Sequence, residues 1–584
     1  MRRVMLTLCV SLLVVSSAGA APKPRPFLDL GFEAQECTSS WVSLTNGRFE
    51  TLVDRSDAAS GGQSARIRFA GSGNWSQSQG YAIQLQTLPA AEVAGKQVRL
   101  SGLIRTEDVN PGNAGLWWSI EDRQGNFHGA DSGDAASRTT PWREYETVID
   151  VPSNAARVMF GIELAGGGTA WFDSLSIEVN GKPFVQGKQA VPPKPAPSAV
   201  SWLRKSAIPF ATPEAGNGFD DLQPLRKLVG NARIVSLGEA THGTREFFQM
   251  KHRILELLVE EMGFTHFSIE ASMPEAYRLN QYVLGGEGDP YQLIRGMQFW
   301  TWTTQEVVDM VRWMREYNAS GKGTVQFTGF DMQFTELAAL NVRSFLRVAD
   351  AQYALEAEAL ITQADRAGGT RRVSPEDLAA ARGVYEHMKE KRGDYLDRFP
   401  AEQVDWAIQN ARVVVQCLED IAGIRGRDVS MADNVDWILE TAPPGSKIVL
   451  WAHNLHVNDR AGWMGRFLRQ RHGKDMVIMG FAHGTGRYNS RAAIDGRLGS
   501  FDMAPPVPGS LEVYLGSAGM PRYILDLRRV PGGAPAQWLD APRGFRNIGA
   551  REVRCGFLPA TVADEYDAMI WFDRTNPSVL LPFE

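Results

Sequence analysis

Ile234-Val235-Ser236-Leu237-Gly238-Glu239-Ala240-Thr241-His242-Gly243-Thr244-Arg245-Glu246 decides how the larger part of this chain is read. An apolar, strand-like run from Arg233 to Leu237 stops in a glycine, a carboxylate and a histidine. A helical pattern follows from Glu246 to Met262, with Phe247, Met250, Ile254, Leu257 and Leu258 on one side. Gly263 is placed to close that helix as its C′ residue. Gly238 suits a tight exit from the strand, and Gly243 suits close approach of backbone or substrate to the imidazole.

The same alternation continues on either side. His266 to Ile269 and Thr324 to Phe330 read as strands, Pro274 opens a helix, and Thr303 or Thr304 caps another that reaches Tyr317. Residues 340–440 read as a helical insertion. Within it, Ser374-Pro375-Glu376-Asp377 is a cap, a proline at N1 and acids in the first turn. Strands return at Lys447 to Trp451, Met476 to Phe481, Tyr523 to Leu527 and Ala568 to Phe572. This predicts an α/β domain over 201–584 with a mostly parallel sheet and helices on both faces.

Upstream the texture differs. Ser64 to Phe69, Gln97 to Ile104 and Trp142 to Val151 alternate with a period of two, with turns such as Asn110-Pro111-Gly112-Asn113 between them. Residues 26–180 therefore read as an all-β jelly-roll sandwich. Its ending, Gly168 to Val179, resembles the last strands of carbohydrate-binding, galactose-binding-like jelly rolls. Trp75, Trp117 and Trp118 are candidates for a sugar-stacking platform, with core packing as the alternative. A glycan or surface partner is a candidate for this domain, with a structural or docking module as the alternative. Residues 181–200 form a linker, stiffened by Pro192-Pro193-Lys194-Pro195-Ala196-Pro197.

Residues 1–20 read as a cleavable secretory signal peptide: Arg2 and Arg3, an apolar run from Val4 to Val15, then Ala18-Gly19-Ala20. No later apolar run is long enough to span a bilayer. The expected location is the periplasm or the exterior. Losing Arg2 and Arg3 takes the net charge from −6 to about −8, which argues against nucleic acid as a partner. Of 4 cysteines, Cys9 leaves with the signal, and Cys37, Cys417 and Cys555 lie far apart. That is neither a disulfide framework nor a zinc site.

Ligands of open α/β sheets bind beyond the carboxyl ends of the strands. Glu239 and His242 follow the first strand, Glu270 ends the second, and Asp331 ends the third. His453 and His456 follow the fourth, and Phe481-Ala482-His483-Gly484 follows the fifth. Several ionisable groups on one rim are costly to bury without a purpose. There is no GxSxG, HExxH, P-loop or GxGxxG after a strand. What remains is carboxylate plus imidazole, which suits general-base activation of water and equally suits a divalent metal.

Leu237 to Gly243, Phe267 to Glu270 and Trp451 to His456 resemble the erythromycin esterase family. So do Trp313 to Asn318, Gly329 to Gln333, Ser430 to Asn434 and Tyr566 to Asp573. The resemblance runs from about Trp202 to the C-terminus. It implies a hydrolase without metal or cofactor that opens a small-molecule ester or macrolide lactone, an antibiotic-resistance activity, with a histidine-activated water. Carried over, His242 is the general base, Glu239 and Glu270 orient it or the water, and His453 supports the oxyanion. His456, Asp331, Arg245 and Arg427 are candidates for substrate binding, with helix capping or salt bridges as their alternatives. Trp300, in Phe299-Trp300-Thr301-Trp302, is a candidate cleft wall. A metal-dependent hydrolase on the same rim and a ligand-binding protein without turnover are the competing readings.

Overall fold

In the computed structural model, the described residues are 28–34, 41–46, 49–70, 80–122, 134–186, 194–492, 496–530, 533, 535–553 and 556–582. The expected signal peptide, Cys9, Cys37, Cys555, Trp75 and the linker residues 187–193 lie outside them. The expected linker 181–200 is shorter than read, because Lys182–Pro183 still pairs with Thr169–Val179 and the helix Pro197–Ser206 already begins within it, with a proline in its first turn.

The first domain is built around one strand, Gln97–Asp122, of 26 residues. Its first half pairs antiparallel with Ala136–Asp150 and Thr169–Val179, and its second half with Ala155–Gly166. Between the halves, Gly112 and Gly166 face each other with φ of 135° and 112°. A β-carbon on Gly112 would sit 2.1 Å from the Ala165 carbonyl oxygen, so this corner requires glycine. Val98, Leu100 and Ile104 of one half meet Leu116, Trp118 and Ile120 of the other in a single core. The result is an antiparallel β-sandwich. Trp118 fills that core, whereas Trp117, one residue on and so on the opposite face, packs with Ile83 and Met159 against Leu558 of the second domain.

The second domain holds six strands in parallel: β1 (Ile234–Leu237), β2 (His266–Ser272), β3 (Gln326–Asp331), β4 (Ile448–Trp451), β5 (Met476–Arg491) and β6 (Ala568–Thr575). They lie in the order β6-β5-β1-β4-β2-β3. The strand Arg522–Asp526 runs antiparallel beside β6, with Ile208–Pro209 at the outer edge. Ile234, Ile448, Leu450 and Ile478 belong to one core cluster, and Val235, Val449, Trp451 and Val477 to the other. Successive residues thus bury opposite faces, as expected of a sheet covered on both sides.

Helix α1 (Arg245–Met262) follows β1 and ends at Gly263 in the left-handed conformation, φ 71°. Helix α2 (Met273–Val283) follows β2. Between β3 and β4 the chain forms a helical layer. It contains the helices Glu336–Ala349, Ala351–Thr370 and Pro375–Glu390, then α3 (Ala401–Ile421) and α4 (Arg427–Thr441). Ser374 and Asp377 form the reciprocal capping box of that layer. One expectation is corrected. β5 does not end at Phe481 but runs to Arg491, so His483 lies inside a strand, not after one. Pairing with β6 holds it there, at His483 opposite Phe572, and its Nδ1 meets Thr575 Oγ1 at 3.1 Å.

Candidate active site

The loop after β1 is fixed on every side by backbone bonds. Gly238 N–H donates to the Met479 carbonyl at 2.8 Å, Asn454 N–H to Glu239 at 2.8 Å, and Ile548 N–H to Ala240 at 2.7 Å. Gly243 accepts from Asn489 and Ser578 at 3.0 Å each. A β-carbon at Gly243 would lie 2.1 Å from the Asn489 carbonyl oxygen, and one at Gly238 would lie 2.2 Å from the Asn454 side chain. Both glycines therefore serve the close packing of the loop onto its neighbours.

Glu239 is fully buried at the centre of this loop. Its Oε1 meets His242 Nδ1 at 2.6 Å. Its Oε2 accepts from Lys251 Nζ at 2.6 Å and from the Trp451 indole at 2.8 Å. Lys251 comes from α1 and stands 4.4 Å over the Trp451 ring. Burial lowers its ammonium from 10.5 to about 8, with Glu239 and Glu270 opposing the fall. A carboxylate held between an ammonium and two ring N–H groups is a fixed negative anchor for one imidazole nitrogen.

That anchor sets the tautomer of His242. Nδ1–H donates to Glu239, so Nε2 of the neutral ring carries the free lone pair. The edge of Trp302 approaches the ring at 5.9 Å, and the His453 ring lies 5.0 Å away, centre to centre. His453 Nδ1 accepts from Leu455 N–H at 3.3 Å, which leaves the proton on Nε2. Nε2 is buried without a hydrogen-bond partner. Burial and then the neighbouring His242 push His453 well below the usual imidazole value, with Glu270 and the Ala240 carbonyl opposing. A neutral ring whose buried Nε2–H makes no full hydrogen bond, only a contact toward the Ala240 carbonyl, thus stands beside a ring with a free lone pair.

Glu270 forms the second layer. Oε2 accepts from His453 N–H at 3.0 Å, and Oε1 from Arg427 Nη2 at 2.8 Å. Burial opposes its ionisation, but His456, Arg427 and His242 outweigh burial and hold the carboxyl below the usual range. Arg427, the first residue of α4, also spans Asp331, through Nε at 3.1 Å and Nη2 at 2.7 Å. Its Nη1 meets His456 Nε2 at 3.2 Å, so that nitrogen accepts and Nδ1–H donates to Asp428 at 2.8 Å. Burial disfavours a charged His456, but Asp428 and Glu270 more than offset that and raise it.

The structure therefore brings together Glu239, His242, Glu270, His453, His456, Asp331 and Arg427. Arg427 takes the salt-bridged arrangement that stood as its alternative to substrate binding, and Asp331, whose alternative was capping the following helix, is its partner in that bridge. One candidate, Arg245, stands apart. Arg245 Nε lies 3.6 Å from Glu306 and lines a separate cleft with Gln249 and His252. Trp300 is buried with an unpartnered indole N–H, and it is Trp302 that touches His242. Trp302 is oriented by its N–H bond to the Glu270 carbonyl at 3.0 Å. Lys251, Trp451 and Asp428 were not singled out in the sequence, whereas Trp302 lies in the stretch expected to wall the cleft. Lys251 carried a signal: a lysine on the apolar face of α1, between Phe248 and Leu255. Among the described residues, no group of three or more His, Cys, Asp or Glu is arranged to hold a metal ion.

A family model described as erythromycin esterase matches residues 259–575, more than half of the chain. The match includes Glu270, Asp331, Arg427, His453 and His456 and begins after His242. A putative hydrolase of Bacillus subtilis, YbfO, is 24% identical over 65% of this chain and 92% of its own length. Erythromycin esterase type II of Escherichia coli is 23% identical over 56% of this chain and 89% of its own. A solved Bacillus cereus protein, 26% identical, superposes with a TM-score of 0.61 over 66% of this chain and all of its own.

Proposed function

The chain belongs to the erythromycin esterase family, and from that premise we propose that it is an exported hydrolase that cleaves an ester or lactone with a histidine-activated water and no metal. The observation that carries this reading is the 2.6 Å contact between His242 Nδ1 and Glu239, made beside the unpartnered Nε2–H of His453. A water on His242 Nε2 attacks the carbonyl carbon and passes its proton to that nitrogen. The carbonyl oxygen, now an oxyanion, accepts the His453 N–H. Glu239 stabilises the imidazolium that forms. Collapse breaks the carbon–oxygen bond, and the departing alkoxide takes the proton back from His242. The products are a carboxylic acid and an alcohol, or a hydroxy acid from a lactone.

The donor set supports the metal-free form of this reaction. Both oxygens of Glu239 and both of Glu270 are already engaged by N–H donors, including Lys251 and Arg427. A divalent ion at either carboxylate would have to compete with these donors and approach the positive charges of Lys251 and Arg427. The residue 1–20 pattern supports export.

The test is a panel of aryl esters, alkyl esters and macrolactones, assayed before and after exhaustive dialysis against a chelator. Turnover of one member at an unchanged rate after dialysis is expected. Loss of turnover on dialysis, restored by a divalent ion, overturns the metal-free mechanism.

A further inference from the structure

A cavity of about 700 Å³ lies away from the site above. It opens where β2 and β3 begin, lined by His266, Gln326 and Thr328. The catalytic groups sit where the strands end, whereas His266 and Gln326 are the first residues of β2 and β3.

Three helices meet around this cavity. Tyr277 of α2 stacks on Trp406 of α3 at 4.4 Å and 25°, and Trp437 of α4 approaches Trp406 at 6.1 Å. Each tryptophan has a glutamate on the same helix face. Glu402 precedes Trp406 by one turn, and Glu440 follows Trp437 by three residues. Asp405 is neutralised by a two-point bond from Arg392, at 2.6 and 2.9 Å. Glu402 and Glu440 make no ion pair among the described residues and leave the cavity net negative. The C-terminus of α4 also ends here, at Thr441, Ala442 and Pro443. Its terminal carbonyls add the negative end of a helix dipole. His266 contributes no compensating charge, because burial lowers it from 6.5 to about 4.

We propose that this cavity is a second binding site, for an organic ammonium group held against the Tyr277, Trp406 and Trp437 rings by Glu402 and Glu440. Aromatic faces and unpaired carboxylates together are the chemistry that selects a cation over a neutral group of the same shape. A quaternary ammonium and the protonated amine of an amino sugar share that chemistry.

Binding is measured on the full chain by calorimetry, with tryptophan fluorescence in parallel, at mildly acidic pH. The probes are choline with its neutral isostere 3,3-dimethylbutan-1-ol, and glucosamine with glucose. One cation is expected to bind about tenfold or more tighter than its neutral counterpart, and the pair that shows it identifies the source. The double variant Glu402→Gln, Glu440→Gln preserves volume. It is expected to remove that preference while thermal stability and ester hydrolysis stay unchanged. Trp437→Phe is expected to weaken binding less. Equal binding of cation and neutral partner, no binding of either cation, or an undiminished preference in the double variant overturns the proposal.

Discussion

The Lys251 ammonium and the Glu239 carboxylate meet at 2.6 Å with neither side chain exposed to solvent. Removing one partner of a buried pair leaves an uncompensated charge, whereas solvent screening makes exposed pairs nearly dispensable. Lys251→Met is therefore expected to cost roughly 3–5 kcal/mol of folding stability. It also frees Glu239 to move, so ester hydrolysis falls with it. Denaturant unfolding checks the first effect and kcat the second. A change below about 1 kcal/mol would contradict the role given to this pair.

Glu270 links stability to pH. Its carboxyl is held below the ordinary glutamate value of 4.5, against burial, by His456 and Arg427. A depressed folded value means that the contribution is complete above 4.5 and fades as pH falls through the folded value. Glu270→Gln is expected to lower stability by about 3 kcal/mol at neutral pH. The gap to wild type should hold down to about pH 5 and close only in stronger acid. Urea unfolding across that range measures it. A gap that closes already near neutrality would mean that Glu270 is not held ionised.

His453 offers an N–H with no partner in the resting site. A donor used only by the transition state affects kcat with little change in KM. His453→Ala is expected to lower kcat by about 10²–10³ while KM stays within a few-fold. Steady-state kinetics on the best ester separates the two. A raised KM with unchanged kcat would make His453 a substrate-binding group.

The readable part of this protein follows from short-range rules. Strand ends carrying Glu239, Glu270, Asp331 and His453 stood out because charge seldom follows directly on an apolar run. The cap at Ser374 and the C′ residue at Gly263 were equally local. What was not legible depends on partners distant in the chain. Arg427 is 157 residues from Glu270 and 96 from Asp331, and nothing in its own neighbourhood marks it as their common tie. Trp300 and Trp302 share one short loop, and only the bond from Trp302 to the Glu270 carbonyl decides which ring faces His242. β5 continued past Phe481 because β6 pairs with it as far as Thr575, although its own glycines read as an end. Trp117 and Trp118 split between an outer face and the core by alternation, and the contact of Trp117 with Leu558 required the second domain.

The claim that joins these observations is that His242 takes the proton of the attacking water. Its direct test is kcat/KM for the best ester or lactone, with wild type and His242→Ala compared at the same pH and both shown to be folded. A fall of about 10²–10⁴ is expected, with binding of the acid product preserved. Equal turnover by the two proteins would contradict it.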